Sequence, residues 1–213
     1  AILTLTNMCS VIISDMNNPS KAVLNVNGPE LLLGTNQYGN NAHYSLVEGL
    51  MDVFRNYKNN EKTVISACEL VKNLCQIDHH LVHEITSDNY TLLSYLRGAY
   101  ACYDVDSRGT EAIMTMIWYL CNDPSNEVRF TNKDTGIVSL LVTTLGECIS
   151  LSTKMAACAT ISCLACNVDN EELLASEDVG LMNVLVTLIR NEKNVELRAS
   201  ACSIVSNLSI SPL

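Results

Sequence analysis

The most metal-like cluster of the sequence is the run from Asp78 to His83, which reads DHHLVH. On a helix, His79 and His83 lie four residues apart on one face, and zinc accepts such a pair when a third ligand completes the site. The order of the zinc-protease motif HExxH is absent, because Glu84 follows the last histidine instead of the first. The alternative is a solvated helix that begins at Asp78, since aspartate is a favoured N-cap. We expect this second role, and therefore no metal ion or other cofactor.

A second pattern with chemical potential is the CxxC pair of Cys163 and Cys166. Redox enzymes and zinc sites use such pairs, but this one lies inside a helical pattern, and a single pair does not complete a zinc site. Free cysteine behaves as a small hydrophobic residue, so packing in the core or along a groove is the expected role. The enzyme alternative is a metal- or thiol-dependent activity that uses the His79 and His83 region or Cys163. We expect a non-enzymatic protein, because the sequence has no Gly-rich phosphate loop, GxSxG motif or catalytic pairing of Cys and His.

A nine-residue motif recurs along the whole chain in four close copies and one looser copy. The copies read AILTLTNMC, ACELVKNLC, IMTMIWYLC, ACATISCLA and ACSIVSNLS at residues 1–9, 67–75, 113–121, 157–165 and 201–209. The Met or Leu near the end of each copy lies at position 8, 74, 120, 164 or 208, so the last four copies are 46, 44 and 44 residues apart. A period in the mid-forties is typical of helical solenoids, in which each repeat buries its apolar face against its neighbours. The motif therefore predicts stacked helical repeats and a function carried by a long surface.

The composition predicts an all-α protein. Of its 213 residues, 48% are hydrophobic and 17% charged, with only 9 Gly and 4 Pro, and no strictly alternating apolar run lies between hairpin turns. A net charge of −10 without a basic cluster argues against nucleic-acid binding. The acidic stretch 169–178 is expected to be a solvated face, with a docking patch for a basic segment as the alternative. No apolar stretch reaches the length of a membrane span, so direct membrane insertion is not expected.

The ten cysteines follow the repeat. One column of the repeat holds Cys68, Cys158 and Cys202, and another holds Cys75 and Cys121. Equivalent columns of stacked helices are not generally aimed at one another as disulfide partners, whereas free cysteine suits small core positions. The columns therefore predict buried, reduced thiols and a reducing, cytoplasmic compartment.

Each repeat is expected to contain a short first helix, a glycine at the following turn, and two longer apolar helices. The clearest helices are predicted at residues 126–132, 136–145, 154–166, 170–175, 180–189 and 195–208. We predict a single domain over residues 1–213, divided into repeats 1–16 (partial), 17–77, 78–123, 124–168 and 169–213. The repeat 17–77 is about twenty residues too long, and the helix-breaking segment 28–41 is the predicted insertion loop, with a degenerate half-repeat as the alternative.

The motifs G-I-x-x-L-L and A-x-x-x-[VI]-x-N-L-S resemble those of armadillo repeats, most closely between Asn126 and Ser211. The resemblance implies a right-handed superhelical solenoid of about four full repeats after a partial leading repeat, with HEAT repeats as the alternative plan. The chain has 22 Asn, and 8 Tyr against 2 Phe, a bias compatible with an AT-rich genome. In this it resembles the armadillo-repeats-only proteins of apicomplexan parasites.

That second resemblance implies an adaptor at the cytosolic face of the rhoptry membrane, which positions the organelle and recruits a myosin motor and other partner proteins. In those proteins the membrane anchor is an acylated N-terminus. The present sequence begins at Ala1, without Met and inside a copy of the motif, so we expect it to be a piece from which such an anchor is missing.

The column before the repeat Leu contains the candidate binding residues. It holds Asn7, Asn73 and Asn207, with Tyr119 and Cys163 in the middle copies. In the armadillo family the third-helix Asn faces a concave groove, and the resemblance implies that these amides bracket the backbone of an extended peptide, since a carboxamide both donates and accepts hydrogen bonds. The alternative is that each Asn caps turns of its own repeat. The expected partner-binding residues are Asn73, Thr115, Trp118, Tyr119, Cys163, Ser203 and Asn207.

The sequence departs from two well-known armadillo grooves. Importin-alpha has Trp four residues before each groove Asn, and the corresponding residues here are Glu69, Thr115, Ala159 and Ser203. A beta-catenin-like row of Lys is reduced to Lys72. The expected groove is therefore one of Asn, Ser and Thr, with an aromatic island at Trp118 and Tyr119.

Overall fold

The computed structural model describes residues 46–77, 82–83, 85–86 and 92–209, and over these residues every regular element is a helix. The predicted all-α class is confirmed. In chain order the helices are α1 (Leu46–Asn56), α2 (Glu61–Ile77), α3 (Leu92–Tyr100), α4 (Arg108–Cys121), the 3-10 helix Pro124–Asn126 with α5 (Glu127–Thr131), α6 (Ile137–Glu147), α7 (Leu151–Leu164), α8 (Val168–Ala175), α9 (Leu181–Asn191) and α10 (Val195–Leu208). The predicted partial repeat 1–16 and insertion 28–41 lie outside the described residues.

Helix lengths repeat along the chain in the order short, intermediate and long. The set α5, α6 and α7 contains helices of 5, 11 and 14 residues, and the set α8, α9 and α10 contains helices of 8, 11 and 14 residues. Upstream, α1 with α2 and α3 with α4 are further pairs that end in a long helix. The helix predicted at 195–208 has those bounds, whereas α7 begins three residues before the predicted 154, because Ser150 provides its N-cap.

The glycine turns have the same backbone conformation in both complete sets. Gly136 precedes α6 with φ of 68°, and Gly180 precedes α9 with φ of 71°. This left-handed conformation is unfavourable for a residue with a Cβ atom and open to Gly. A Cβ built on Gly180 meets nothing within 4 Å, so at this position the backbone conformation alone, and not packing, selects glycine.

The long helices begin at side-chain caps that recur with the repeat. Ser107, Ser150 and Asn194 each accept a hydrogen bond from the backbone N–H three residues later, at Thr110, Thr153 and Leu197. Such caps satisfy N–H groups that have no partner within the helix. A second link comes from Asp106, whose Oδ1 accepts from the N–H groups of Ile149 (2.6 Å) and Ser150 (3.0 Å) in the following loop. The short polar loops thus connect one set of helices to the next.

The core lies where successive long helices stack. Helix α2 packs on α4, α4 on α7, and α7 on α10, while each intermediate helix packs on the long helix that follows it. One hydrophobic cluster runs continuously through these contacts, from Leu50 in α1 to Ile204 in α10. The apolar face of each set is therefore buried by its neighbour, as the repeat pattern predicts.

Buried polar bonds join the short helices on another side of the stack. The Asn126 side chain accepts from Thr86 Oγ1 (2.7 Å) and donates to the carbonyl of Leu120 (2.8 Å). The same arrangement recurs 44 residues later, where Asn170 accepts from Thr131 Oγ1 (2.7 Å) and donates to the carbonyl of Leu164 (3.0 Å). Both asparagines are buried, with 0% and 2% exposure. We call these two sets of bonds the Thr–Asn bridges.

Candidate functional site

The predicted binding column forms one line across the long helices. Asn73 lies in α2, Tyr119 in α4, Cys163 in α7 and Asn207 in α10, and each is partly exposed. The fourfold repetition of one helical position therefore brings all four residues of the column to the surface on the same side of the stack. Partner binding by these four residues stays a prediction.

Three side-chain contacts connect successive members of this line. Gln76 Nε2 donates to the Tyr119 hydroxyl (3.1 Å), Cys163 Sγ contacts Asn122 Oδ1 (4.0 Å), and Asn207 Nδ2 contacts Cys166 Sγ (3.6 Å). Each contact joins the last turn of one long helix, or the residues just after it, to the next long helix. We call the combined set the long-helix row; its members are Asn73, Gln76, Tyr119, Asn122, Cys163, Cys166 and Asn207.

Three of the seven members of the row are absent from the partner-binding residues predicted from the sequence. Gln76, Asn122 and Cys166 lie three residues after the predicted column, and residues three apart on a helix share a face. All three are exposed. The sequence signal that would have found these residues is their position three residues after a member of the column.

The remaining predicted residues flank the row. Trp118 is half-buried beside Tyr119, with ring centroids 5.1 Å apart and planes tilted by 58°. Thr115 is half-buried one turn before Tyr119, and Ser203 is exposed one turn before Asn207. Trp118 and Tyr119 thus form a local aromatic surface at the middle of the row, as expected.

A cleft of about 230 Å³ opens between α2 and α4 and reaches the row through Thr115. Its lining carries two acidic side chains, Glu69 and Glu111, and two basic ones, Lys72 and Arg108. The apolar part of the lining is formed by Ile65, Cys68, Ala112 and Met116. From the sequence, Glu69 and Lys72 are expected only as departures from known grooves, and Arg108 and Glu111 are not predicted as groove residues.

The charges of the cleft do not neutralise one another in ion pairs. In the part of the chain that the structure describes, the one ion pair joins Lys154 and Glu192 at 3.5 Å, outside the cleft. Glu111 accepts a hydrogen bond from Ser152 Oγ (2.6 Å), a contact that links α4 to α7. The cleft therefore offers both positive and negative groups to a ligand, which suits a polar peptide better than a purely apolar molecule.

The prediction that cysteines are buried is right for one group and wrong for another. Among the described residues, the buried cysteines are Cys68, Cys75, Cys121, Cys148 and Cys158, Cys163 is half-buried, and Cys102, Cys166 and Cys202 are exposed. Cys202 is the counterpart of buried Cys158 but lies in α10, and among the described residues no further helix covers that side. Burial raises the pKa of Cys75 and of Cys158 to about 12, which keeps these thiols protonated at neutral pH.

Cys163 differs from the buried cysteines because Cys121 of the preceding long helix lies against it. A hydrogen bond between the two thiols raises the pKa of Cys121, to which burial also contributes, and lowers the pKa of Cys163. Burial and the carboxylate of Glu127 act in the opposite direction on Cys163 without reversing its shift. In the pair, Cys163 is therefore the thiol that loses its proton first.

Most of the His cluster lies outside the described residues, and this includes Asp78, His79 and Glu84. His83 is exposed, with its Nδ1 atom 3.2 Å from Ser125 Oγ. Across the described ranges no three His, Cys, Asp or Glu side chains are grouped so as to hold a metal ion.

The acidic stretch 169–178 is only partly the solvated face that was expected. Asp169, Glu172, Glu177 and Asp178 are exposed, but Glu171 is buried and its Oε2 atom has no hydrogen-bond partner. The prediction of a uniformly solvated face is wrong at Glu171, because the first turn of α8 rotates that side chain toward the protein.

No helix in the described part of the chain combines the length and the hydrophobicity needed to cross a lipid bilayer. Comparison with known proteins finds no matching family model, no matching curated protein and no matching solved structure.

Proposed function

We propose that the chain is a right-handed armadillo-type solenoid that acts as a non-enzymatic scaffold and binds an extended segment of a partner protein along its long-helix row. The observation that carries the proposal is the continuity of the row, in which partly exposed polar side chains of four successive long helices contact one another. The recurrent order of short, intermediate and long helices, with a period of 44 residues, supports the armadillo assignment over a two-helix HEAT plan.

The chemistry of the row favours a peptide backbone as ligand. Asn73, Gln76, Asn122 and Asn207 are carboxamides, and each offers a donor and an acceptor to the amide groups of an extended chain. This pairing is independent of the ligand's side chains, so it supports binding of an unfolded segment rather than of one specific small molecule.

Selectivity and most of the affinity are expected from the aromatic surface. Trp118 and Tyr119 are half-buried and pack against each other, so part of this aromatic pair is accessible to a ligand. Aromatic side chains in such settings are common energetic anchors of interfaces. The charged cleft beside Thr115 adds a site for a ligand residue that carries a charge.

A display selection of unstructured peptides against the whole chain supplies probes for a direct test. Affinities of the selected peptides are then measured by fluorescence anisotropy for the wild type and for Tyr119→Ala, Trp118→Ala and Asn207→Ala. Loss of the Tyr119 ring is expected to weaken binding by about 1–3 kcal/mol, which is roughly 5- to 150-fold. Helix content, measured by circular dichroism, should stay unchanged.

Glu172→Ala is the matched control, because Glu172 is exposed on the short helix α8, in the acidic stretch. Its affinity is expected to equal that of the wild type. If binding is insensitive to the substitutions of Tyr119, Trp118 and Asn207 but falls in Glu172→Ala, the acidic stretch is the docking site and the groove mechanism is wrong.

The resemblance to armadillo-repeats-only proteins supports a more specific proposal about place. In this proposal the protein is an adaptor at the cytosolic face of an organelle membrane, and a myosin motor is among its partners. Tagging of the full-length protein in its own cells, followed by fractionation, tests it. An organelle-free cytoplasmic distribution would contradict the adaptor role but leave the peptide-binding scaffold intact.

A further inference from the structure

One pair of thiols joins two neighbouring long helices of the stack. Cys121 Sγ lies 3.9 Å from the carbonyl of Thr160, and Cys163 Sγ lies 4.0 Å from Oδ1 of Asn122. Asn122 follows Cys121 directly, and Thr160 lies one helical turn before Cys163, so the two contacts bring both thiols to the same part of the interface between α4 and α7. There the two thiols influence each other directly. Cysteines of one column of the repeat do not face one another. Cys121 and Cys163 belong to different columns, and these two do face one another.

The two thiols have unequal access to solvent. Cys121 is 1% exposed, whereas Cys163 is partly exposed on the long-helix row. Interaction with the Cys121 thiol lowers the pKa of Cys163, although burial and the nearby carboxylate of Glu127 oppose this shift. Since the thiolate is the reactive form, Cys163 is the accessible nucleophile and Cys121 is a protonated thiol held next to it.

We propose that Cys163 is a site of oxidation by hydrogen peroxide, and that Cys121 resolves the oxidised sulfur into a disulfide between α4 and α7. In the first step the Cys163 thiolate attacks one oxygen of the peroxide; the O–O bond breaks, the other oxygen leaves as water after gaining a proton, and a sulfenic acid remains. In the second step the Cys121 sulfur attacks the Cys163 sulfur, the S–O bond breaks and a second water leaves. The peroxide is the oxidant, and its two oxygens are reduced to two water molecules.

Cys166 is the competing resolving thiol, because it lies three residues after Cys163. Its sulfur donates to the carbonyl of Ser162 (3.2 Å) and contacts Nδ2 of Asn207 in α10 (3.6 Å). These contacts direct Cys166 toward the next long helix, away from Cys121. The structure therefore favours the link across α4 and α7 over a link within the CxxC pair.

The experiment treats the reduced full chain with an equimolar amount of hydrogen peroxide, blocks remaining thiols with iodoacetamide, and maps tryptic peptides by mass spectrometry. The expected product joins the peptide 109–129, whose one cysteine is Cys121, to the peptide 155–190, and dithiothreitol reverses the link. The link should disappear in Cys163→Ser and persist in Cys166→Ser, the control for a neighbouring exposed thiol.

The inference does not rest on the proposed peptide binding, and three results would overturn it. One is a link to 109–129 that survives in Cys163→Ser. Another is a disulfide confined to 155–190 in the wild type. The third is a product in which Cys163 is a sulfinic acid and Cys121 carries the iodoacetamide label, which would mean that no resolving thiol reaches Cys163. Cys163→Ser replaces a half-buried side chain, and a circular dichroism spectrum like that of the wild type establishes that the variant is folded.

Discussion

Two sets of Asn recur with the same period in this molecule and differ in burial and hydrogen bonding. Asn126 and Asn170 lie among the short helices, are buried, and use both ends of their carboxamide in hydrogen bonds. Asn73 and Asn207 lie in the long helices and are partly exposed. The comparison teaches that repetition of a polar residue does not by itself distinguish a structural role from a binding role, whereas burial and hydrogen-bond partners do.

The physical difference is the cost of leaving an amide unpaired. A buried donor or acceptor that loses its partner costs about 1–3 kcal/mol, because water cannot replace the bond. A partly exposed amide exchanges protein partners for water at little cost, and it is therefore available to a ligand. The Thr–Asn bridges are expected to hold the stack together, and the long-helix row is expected to remain free for binding.

The largest expected effect belongs to Asn170→Ala. The substitution removes the buried hydrogen bonds of the Asn170 side chain, which accepts from the Thr131 hydroxyl and donates to the carbonyls of Leu164 and Glu127. We expect a loss of roughly 2–3 kcal/mol in the free energy of unfolding, measured by urea denaturation. Asn170→Asp retains the acceptor but loses the donor, so it should also destabilise the protein. A change as small as that for an exposed Asn would mean that the bridge contributes nothing to stability.

The next largest effect on stability is expected at Gly180, which follows the short helix α8. This position separates the cost of backbone conformation from the cost of packing. Gly180→Ala places a Cβ atom at φ of 71° where no neighbour lies within 4 Å, so it tests conformation alone, and we expect a destabilisation of about 1–2 kcal/mol. Gly146→Ala is the control, because this Gly lies inside helix α6 and its added Cβ meets Val184 at an ordinary 3.7 Å. The control should be neutral or stabilising, since Ala favours helices over Gly. Equal destabilisation of the two variants would contradict the assigned backbone conformation.

Within helix α7, half-buried Cys163 can be compared with buried Cys158. The pKa of Cys163 lies below the usual value because of the Cys121 hydrogen bond, so the thiolate persists to a lower pH than in an ordinary cysteine. The rate of alkylation against pH should show a midpoint below about 8.5 that rises toward this value in Cys121→Ala. Buried Cys158, with a pKa of about 12, is the internal control and should stay unreactive across the same range. A midpoint that does not move in Cys121→Ala would remove the thiol pair as the cause.

The smallest effect on stability is expected in the row itself. Asn73→Ala should change the free energy of unfolding by no more than about 0.5 kcal/mol, since the side chain is partly exposed and contributes little to the core. Urea denaturation beside Asn170→Ala makes the comparison direct. If Asn73→Ala lowered the free energy of unfolding as much as Asn170→Ala, both sets of Asn would have a structural role. The row would then offer no polar groups for binding.

The sequence by itself was sufficient for the all-α class, for the positions of the last helices and for the column of Asn73, Tyr119, Cys163 and Asn207. These features depend on a period, and a period can be counted, because the same helical position returns to the same face in every repeat. The Gly turns were also predictable, since few residues other than Gly tolerate the required conformation.

Other features were decided only when the helices stacked. Which residue of one long helix opposes which residue of the next depends on the offset between them along their axes, and that offset does not appear in the sequence. Gln76 therefore meets Tyr119, and Cys121 meets Cys163, although each pair comes from different columns. The burial of Asn170 was hidden for the same reason: the sequence shows a polar residue at the start of a short helix, and only tertiary packing supplies the Thr131 hydroxyl that allows it to be buried.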